Sequence, residues 1–326
     1  MADGTKIEWT DATWQIVTGC SIESPGCTNC YAMKLAGTRL RNHPSRIGLT
    51  RPSAAGPVWT GEVRFNEQWL DQPLQWTRPR MIFVAAHGDL FHSAVPYDVL
   101  DKVFAVMALA GRHTFQVLTK RTTNALGYLR GLRTVDGKKR LEAAARSIGW
   151  TFKHEDMLLL HFPLRNVWIG TSVEDQRYAD VRRESLRGIA DMGWLTWVSY
   201  EPALGPVDWT GWEFIRWMVS GGESGAGARP AHPQWHRDTR DWCAEHGIAF
   251  LFKQHGDWAP PASRDDLRFL GDMMRAGKAV HLYGRGREED GCFRKGDEHV
   301  LHVGKKAAGR LLDGVEHNGF PGSPAP

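Results

Sequence analysis

Short apolar runs, each followed by polar or charged residues, recur along the first 256 positions of the chain. They occupy residues 14–17, 81–85, 114–119, 166–170, 195–199, 215–219 and 248–252. Continuous apolar runs of this length are typical of strands that are buried on both faces. The sequence therefore predicts seven strands.

Segments with helical spacing separate most of these strands. The clearest are 96–110, 176–190 and 233–245, and two of them are followed by glycines that can end a helix, Gly111 and Gly247. The spacing also predicts a helix over 31–41 and two short helices within 122–162. Strands that alternate with helices indicate a parallel sheet. No Rossmann glycine fingerprint follows the first strand, so a closed or partial β/α barrel is favoured over an open doubly wound sheet.

The pattern changes after residue 256. Residues 257–303 are polar and rich in glycine, with strand candidates at 279–283 and 299–303, and a short basic helix is predicted over 304–314. The predicted fold class is α/β, a parallel partial β/α barrel with a small appended C-terminal lobe. The predicted domains are residues 1–256 for the barrel and 257–326 for the lobe and tail.

Composition narrows the class of protein. A hydrophobic fraction of 42% and a charged fraction of 24% are those of a globular chain with a sizeable core. No apolar run is long enough for a membrane-spanning helix, and the first residues lack the apolar core of a signal peptide. Five cysteines, three of them clustered, argue against a disulfide framework, so we expect a reducing cytoplasm. The net charge of +4 permits contact with nucleic acid without requiring it.

Three cysteines lie in one short stretch after the first predicted strand: Cys20, Cys27 and Cys30. Three thiols from one loop suit an iron–sulfur cluster that keeps one iron open for a ligand. They also suit a structural zinc site completed by a distant histidine, or they are thiols without a metal. The gaps of six and then two residues differ from the three-then-two spacing common in radical enzymes.

Barrels of this type carry their chemistry at the C-terminal ends of the strands, where several polar residues of this chain lie. Lysines there attract anionic groups, carboxylates pair with ammonium groups or move protons, and adjacent glycines let a ligand approach the backbone. The carboxylates are alternatively helix caps, and the glycine pair is alternatively a tight turn. The catalytic candidates are Lys120, Glu201 and Lys253; the cofactor-binding candidates are Gly88, Asp89, Glu174, Gly221, Gly222 and Glu223.

The cysteine stretch and these strand ends together resemble a widespread phage and mobile-element family with a three-cysteine motif and no assigned function. More remotely, the layout is similar to that of radical S-adenosylmethionine enzymes. The motifs that carry the resemblance are 20–31, 88–91, 118–121, 172–175, 201–202, 221–225, 252–254 and 304–314.

The remote resemblance implies a 4Fe–4S cluster on Cys20, Cys27 and Cys30, with S-adenosylmethionine as the second cofactor. It implies electron transfer into the sulfonium group of that cofactor, which would give an adenosyl radical. In that superfamily a Gly-Gly-Glu element follows the second strand, whereas here Gly221–Glu223 follows a late strand and His87-Gly88-Asp89 takes the second-strand position. The expected substrate is nucleic acid or a nucleotide, with a partner protein also possible and no membrane contact.

Two other functions stay open at this point. One is a nucleic-acid-binding protein without catalysis, in which zinc on the three cysteines stabilises the N-terminal loop. The other is a barrel hydrolase that uses the acidic residues and a divalent metal, with the cysteines incidental.

Overall fold

The computed structural model describes residues 4–149, 162–263, 265–284 and 292–322. The last part of the predicted 122–162 segment and the end of the predicted C-terminal lobe and tail lie outside these ranges. None of the helices described is long and apolar enough to cross a lipid bilayer.

The described residues form the following strands and helices, in chain order. The strands are β1 Ala12–Trp14, β2 Val17–Thr18, β3 Thr50–Arg51, β4 Val58–Trp59, β5 Arg64–Phe65, β6 Met81–Val84, β7 Thr114–Thr119, β8 Val167–Ser172, β9 Leu195–Tyr200, β10 Trp217–Gly221, β11 Ala249–Gln254, β12 Trp258–Ala259, β13 Ala279–Leu282 and β14 Glu298–His302. The α-helices are α1 Tyr31–Gly37, α2 Gln72–Gln75, α3 Tyr97–Leu109, α4 Thr122–Leu132, α5 Val135–Ser147, α6 Gln176–Ala190, α7 Pro233–Glu245, α8 Leu270–Arg275 and α9 Lys305–Ala308.

Seven strands of the described chain form one parallel sheet in the order β1-β6-β7-β8-β9-β10-β11. Neighbouring strands are also consecutive sheet strands along the chain, as right-handed strand–helix–strand units produce. Trp14 of β1 lies opposite Val84 of β6, and Val84 lies opposite Val117 of β7. The predicted fold class, an α/β partial barrel, is confirmed.

Two predicted helices, 176–190 and 233–245, have the predicted bounds, whereas the first strand was predicted wrongly. The sheet strand ends at Trp14, and the next residues leave the sheet. Asn66 explains the departure, because its side chain donates to the carbonyl of Gln15 at 2.8 Å and its backbone N–H donates to that of Ile16 at 2.8 Å. Val17 then pairs with Phe65 in the antiparallel ribbon β2–β5.

The two predicted basic helices are shorter than their apolar spacing indicated. The helix predicted over 31–41 ends at Gly37, where a Cβ would lie 2.1 Å from the ring of Pro57. The helix predicted over 304–314 contains only Lys305–Ala308, because Gly304 and Gly309 have positive φ angles of 80° and 66°. Such angles interrupt a right-handed helix and favour glycine.

The chain divides into two compact units, and the first comprises Met1–Ser172 and Arg182–Trp197. In its core, Phe104 of α3 and Tyr128 of α4 are fully buried, with their ring centroids 5.1 Å apart. Gly170 of β8 lets the buried ring of Trp197 lie against the strand, since a Cβ there would come within 2.3 Å of the indole. Burial of each such side chain contributes roughly 1.5–3 kcal/mol.

The second unit comprises Val173–Val181 and Val198–Pro326. The ring of Trp217 on β10 stacks on Phe320 with centroids 5.3 Å apart, and its indole N–H donates to the carbonyl of Gly319 at 2.9 Å. A three-stranded antiparallel sheet, β12-β14-β13, completes this unit. That sheet lies within the predicted lobe 257–326, whose status as a separate domain stays a prediction.

Candidate functional site

The cysteine loop, residues 19–30, begins where the chain leaves β2. Gly19 has a φ of +93°, and a Cβ at this position would lie 2.3 Å from the carbonyl oxygen of Glu62. Its N–H donates to the carbonyl of His87 at 3.1 Å. A Cβ on Gly88 would lie 2.8 Å from the carbonyl oxygen of Val17. The two glycines therefore let the start of the loop lie directly against the C-terminal end of β6.

Two consecutive cations at the end of β7 reach two different thiols of the loop. Arg121 Nη1 lies 3.5 Å from Cys20 Sγ, and Lys120 Nζ lies 3.5 Å from Cys27 Sγ. Successive residues beyond a strand point in different directions, which allows adjacent side chains to contact separate sulfurs. Each of these thiols therefore has a hydrogen-bond donor with a positive charge.

The same cations are anchored to serines of the loop. Arg121 Nη2 donates to Ser21 Oγ at 2.7 Å, and Lys120 Nζ donates to Ser24 Oγ at 2.7 Å. His92 Nε2 lies 3.0 Å from the same Ser21 hydroxyl. Neither serine was predicted as a site residue, because isolated serines in a loop carry no pattern that distinguishes them from ordinary solvated residues.

The carboxylate of Asp89 fixes the orientation of the Arg121 side chain. This buried carboxylate accepts from Arg121 Nη1 at 2.7 Å, from Thr119 Oγ1 at 2.7 Å and from the N–H of Phe91 at 3.0 Å. A buried carboxylate with several donors is fixed in position. Asp89 thus holds Arg121 against Cys20, and its predicted contact with a cofactor stays a prediction.

The surroundings of the thiols affect their ionisation differently. Burial raises the pKa of Cys20 to about 12, with Arg121 acting in the opposite direction. Burial also acts to raise the pKa of Cys27, but the ammonium of Lys120 and hydrogen bonds from the loop backbone outweigh it, so this pKa lies below its usual value. Of these two thiols, that of Cys27 is therefore the more readily deprotonated.

Cys30 occupies the N-cap position of α1. Burial raises the pKa of its thiol, and the side chain packs against a small apolar cluster that includes Met33 and Trp59. Among the residues that the structure describes, no three His, Cys, Asp or Glu side chains are already placed as ligands of one metal ion.

In the second unit, Glu201 and Lys253 form a close ion pair. Lys253 Nζ donates to the two carboxylate oxygens of Glu201 at 2.8 and 3.0 Å. Gln254 Nε2 donates to Glu201 Oε1 at 3.2 Å and to the carbonyl of Gly222 at 3.2 Å. The two side chains are each 17% exposed, so the pair is reachable from solvent although mostly enclosed.

Glu223 is bound by an arginine from its own loop. Arg229 donates to the Glu223 carboxylate from its backbone N–H at 2.9 Å, from Nε at 2.9 Å and from Nη2 at 2.6 Å. Glu174 is fully buried, and its negative charge helps to raise the pKa of the same arginine, after the Glu223 hydrogen bond and against burial. The pairing of Arg229 with Glu223 was not predicted from the sequence.

The glycine pair 221–222 lies at a close backbone contact. A Cβ on Gly222 would lie 2.0 Å from the carbonyl oxygen of His255, and a Cβ on Gly256 would lie 2.0 Å from that of Glu223. Gly222 N–H donates to the carbonyl of Gln254 at 3.0 Å. This packing alone accounts for glycine at position 222, and a role of Gly221 and Gly222 in cofactor binding stays a prediction.

The structure thus sorts the predicted site residues into two groups, each within one unit. The first unit contains Cys20, Cys27, Cys30, Gly88, Asp89 and Lys120; the second contains Glu174, Glu201, Gly221, Gly222, Glu223 and Lys253. The cysteines follow β2 of the antiparallel ribbon, whereas the other candidates lie at or just after the C-terminal ends of strands of the parallel sheet.

Residues 4–321 match a family model described as "Protein of unknown function (DUF5131)". The chain belongs to this family. The predicted membership in a family of unassigned function is confirmed, whereas its association with phages is not shown. No curated protein matches the chain.

The solved structures to which this chain is similar include several of spore photoproduct lyase. A cysteine-to-alanine mutant is 12% identical at a TM-score of 0.41, covering 93% of this chain and 71% of the lyase. A double mutant with bound AdoMet and dinucleoside spore photoproduct is 13% identical at a TM-score of 0.38, covering 88% and 67%. Because these identities and TM-scores are low, the function proposed for this chain depends on its own residues alone.

Proposed function

We propose that this protein is an iron–sulfur enzyme of the radical S-adenosylmethionine type, with a 4Fe–4S cluster on Cys20, Cys27 and Cys30. One observation carries the proposal: Lys120 and Arg121, at a C-terminal strand end, each donate to a different thiol of the three-cysteine loop. Cysteines bind metals as thiolates, and buried negative charge requires nearby positive charge.

The donor set fits a cluster. All three potential ligands are sulfurs, which suit iron–sulfur clusters and zinc rather than hard cations. The three sulfurs are not already placed around one ion in the described residues, and a cluster held by them would keep one coordination position for a further ligand. When bound, such a cluster supplies an electron that cleaves S-adenosylmethionine to methionine and, after hydrogen abstraction, 5′-deoxyadenosine.

The side chains around the loop have defined tasks in this proposal. Lys120 and Arg121 stabilise the thiolates of Cys27 and Cys20, and Asp89 keeps the arginine in place. Hydrogen bonds and charges next to ligand sulfurs tune a cluster and hold it in the protein. Loss of either cation therefore weakens cluster retention.

The candidates of the second unit would bind the cofactor and handle the substrate. Lys253 and Glu201 pair with each other. Lys253 can therefore exchange Glu201 for an anionic group of a ligand, and Glu201 can exchange Lys253 for a cationic group. Glu223 receives three hydrogen bonds from Arg229, so binding the ammonium of S-adenosylmethionine requires it to exchange part of that contact. Glu174, Gly221 and Gly222 complete the proposed cofactor site.

A nucleotide or nucleic acid is the proposed substrate class. The chain has a net charge of +4, and Lys138 and Lys139 are exposed on α5, where a phosphate backbone can reach them. Lysines of this kind contribute salt-dependent attraction to phosphates without sequence specificity.

Production of 5′-deoxyadenosine tests the proposed reaction type. The full chain, purified without oxygen and reconstituted with iron and sulfide, is incubated with S-adenosylmethionine and dithionite, and products are quantified by mass spectrometry. We expect 5′-deoxyadenosine from the wild type and from Cys292→Ala, which alters an exposed cysteine. We expect none above background from Cys27→Ala, and equal yields from Cys27→Ala and wild type would refute the proposal.

A further inference from the structure

Arg46 is a buried cation with no acidic partner among the described residues. The residue is only 4% exposed. Nη1 donates to the hydroxyl and the carbonyl of Ser45 at 2.6 and 3.2 Å, and Nη2 lies 2.9 Å from His87 Nδ1. Nε is buried without a hydrogen-bond partner. An uncompensated buried charge of this kind is costly and indicates a missing anion.

A second guanidinium reinforces the positive charge. Among the described residues, Arg64 donates to backbone carbonyls alone, to that of Pro44 at 2.6 Å and to that of Ile47 at 2.7 Å. Burial, and after it the charge of Arg64, lowers the pKa of Arg46 to about 10, which leaves the guanidinium charged at neutral pH. In the part of the chain that the structure describes, neither arginine has a carboxylate within ion-pair distance.

His87 connects this charge to the surface. Arginine can only donate, so His87 Nδ1 must accept from Arg46 and the ring proton must be on Nε2. The residue is partly exposed, and its ring meets that of Tyr31 edge-on at 5.7 Å. No described side chain or backbone group accepts from Nε2, which makes it a fixed donor polarised by the guanidinium behind it.

We propose that His87, with Arg46 and Arg64 behind it, binds a phosphate group of the substrate. The positive charges of two guanidiniums suit the charge of a phosphate, which near neutral pH lies between one and two negative charges. The assignment to a nucleotide substrate rests on the proposed function, whereas the phosphate site itself needs neither cluster nor cofactor.

The location of this site agrees with a substrate at the cysteine loop. The carbonyl of His87 accepts from the N–H of Gly19, the first residue of the loop, at 3.1 Å. A phosphate at His87 Nε2 would therefore place the attached nucleoside beside the loop that carries the thiols. No acidic side chain contacts Arg46, Arg64 or His87 among the residues described, so nothing already neutralises the site.

Histidine nitrogen NMR tests the site in the full-length, metal-free protein. The protein is labelled with ¹⁵N-histidine, the His87 signals are assigned with His87→Gln, and inorganic phosphate is added at constant ionic strength. We expect the Nε2–H tautomer for His87 in the free protein, and a saturable shift of its Nε2 signal on phosphate addition. An Nδ1–H tautomer, or no response to phosphate, would overturn the proposal.

Variants of the two arginines separate their contributions. Arg46→Met should give a mixture of His87 tautomers and weaken phosphate binding by about tenfold or more, because a buried charge acts with little screening. Arg64→Gln should retain the tautomer and weaken binding by about threefold, because this group is closer to solvent. Arg183→Gln, which changes a partly exposed arginine on α6, is the matched control and should change neither.

The Arg64 variant keeps the test decisive if Arg46→Met does not fold. Unchanged phosphate affinity in Arg64→Gln, or an equal loss in Arg183→Gln, would contradict a specific site. Because these measurements use protein without iron, a protein that binds phosphate but makes no 5′-deoxyadenosine would refute only the proposed reaction. A protein that makes 5′-deoxyadenosine but ignores phosphate would refute only the site.

Discussion

Lys120 and Arg121 show how much function depends on the direction of single side chains. They are adjacent in sequence, yet one contacts Cys27 and the other Cys20, each at 3.5 Å. An arginine fixed by Asp89 cannot move to the other sulfur without breaking a buried ion pair. The two thiols are therefore not equivalent, and substitution of either cation should affect mainly its own sulfur.

The Glu201–Lys253 pair is expected to be energetically coupled. Replacing one partner leaves a mostly enclosed charge unpaired, so Glu201→Gln and Lys253→Met should each cost about 2 kcal/mol in the free energy of unfolding. The double variant should cost about 1 kcal/mol less than the sum. Urea unfolding of the four proteins gives this coupling energy.

A surface pair provides the reference for that cycle. Arg183 and Glu184 are 3.2 Å apart on α6 with the glutamate side chain 72% exposed, and the same cycle there should give a coupling near zero. Strictly additive costs at Glu201 and Lys253 would show that their contact does not persist in solution.

Gly256 is expected to tolerate no side chain. Its φ is +87° and a Cβ would lie 2.0 Å from the carbonyl oxygen of Glu223, so Gly256→Ala adds a collision to backbone strain. Gly225 has a φ of +97° with open space around it, so Gly225→Ala adds strain alone. We expect a loss of about 1 kcal/mol for Gly225→Ala and about 3 kcal/mol or more for Gly256→Ala in chemical unfolding. Similar losses in both would exclude the collision.

At the scale of elements, α7 is fixed to β10 by a buried histidine. His236 Nδ1 lies 2.8 Å from Ser220 Oγ, and the residue is 1% exposed. Burial, and after it the neighbouring His255, lowers the pKa of His236 from 6.5 to about 3. The folded protein therefore holds this ring neutral under conditions in which the unfolded chain protonates it.

The stability of the protein should depend on the protonation of His236. As the pH falls below 6.5, His236 takes up a proton in the unfolded chain before it does so in the folded protein. The stability that the neutral ring contributes is therefore complete above pH 6.5 and is lost toward pH 3. Between about pH 6 and pH 4, this group should lower the free energy of unfolding by about 1.4 kcal/mol per pH unit. His236→Gln should remove that part of the slope, and His246→Gln, at the exposed end of α7, should not. Identical slopes in His236→Gln and wild type would refute this assignment.

The bounds of helices were predicted best where polar and apolar residues lie on separate faces of the helix. Helices α6 and α7 have clear polar and apolar faces and were predicted with their observed bounds. The first strand was predicted wrongly at Gln15–Val17, because the apolar Ile16 and Val17 are buried outside the parallel sheet, where Asn66 holds the backbone. An apolar run reports burial and cannot distinguish a sheet strand from a buried ribbon.

The strand-end positions of the candidate site residues were predictable from the sequence, whereas their side-chain contacts were not. Parallel topology placed Lys120 and Asp89 at strand ends, which the strand pattern alone could give. The partner of each thiol, the Glu223–Arg229 pair and the uncompensated Arg46 depend on side-chain directions and on contacts between distant segments. No local pattern encodes those contacts, so only the structure reveals them.

At the scale of the whole chain, the seven-stranded parallel sheet carries the candidate residues other than the cysteines at or just after the C-terminal ends of its strands, and the cysteine loop follows the ribbon strand β2. Such an arrangement suits a cofactor-dependent enzyme, because many loops can contribute groups while the sheet keeps them in place. Within it, the cysteine loop is the feature that any account of function must explain. The identity of its metal decides between the proposed enzyme, a zinc-stabilised binding protein and a hydrolase in which the cysteines are incidental.

Metal analysis of the protein purified without oxygen tests this central claim most directly. Iron, acid-labile sulfide and zinc are measured per chain, together with the visible absorption spectrum, for the wild type, the Cys20/Cys27/Cys30→Ala triple variant and Cys292→Ala. We predict a brown wild type and Cys292→Ala with about four irons and four sulfides per chain, and a colourless triple variant without iron. A colourless wild type with one zinc per chain, or iron retained in the triple variant, would contradict it.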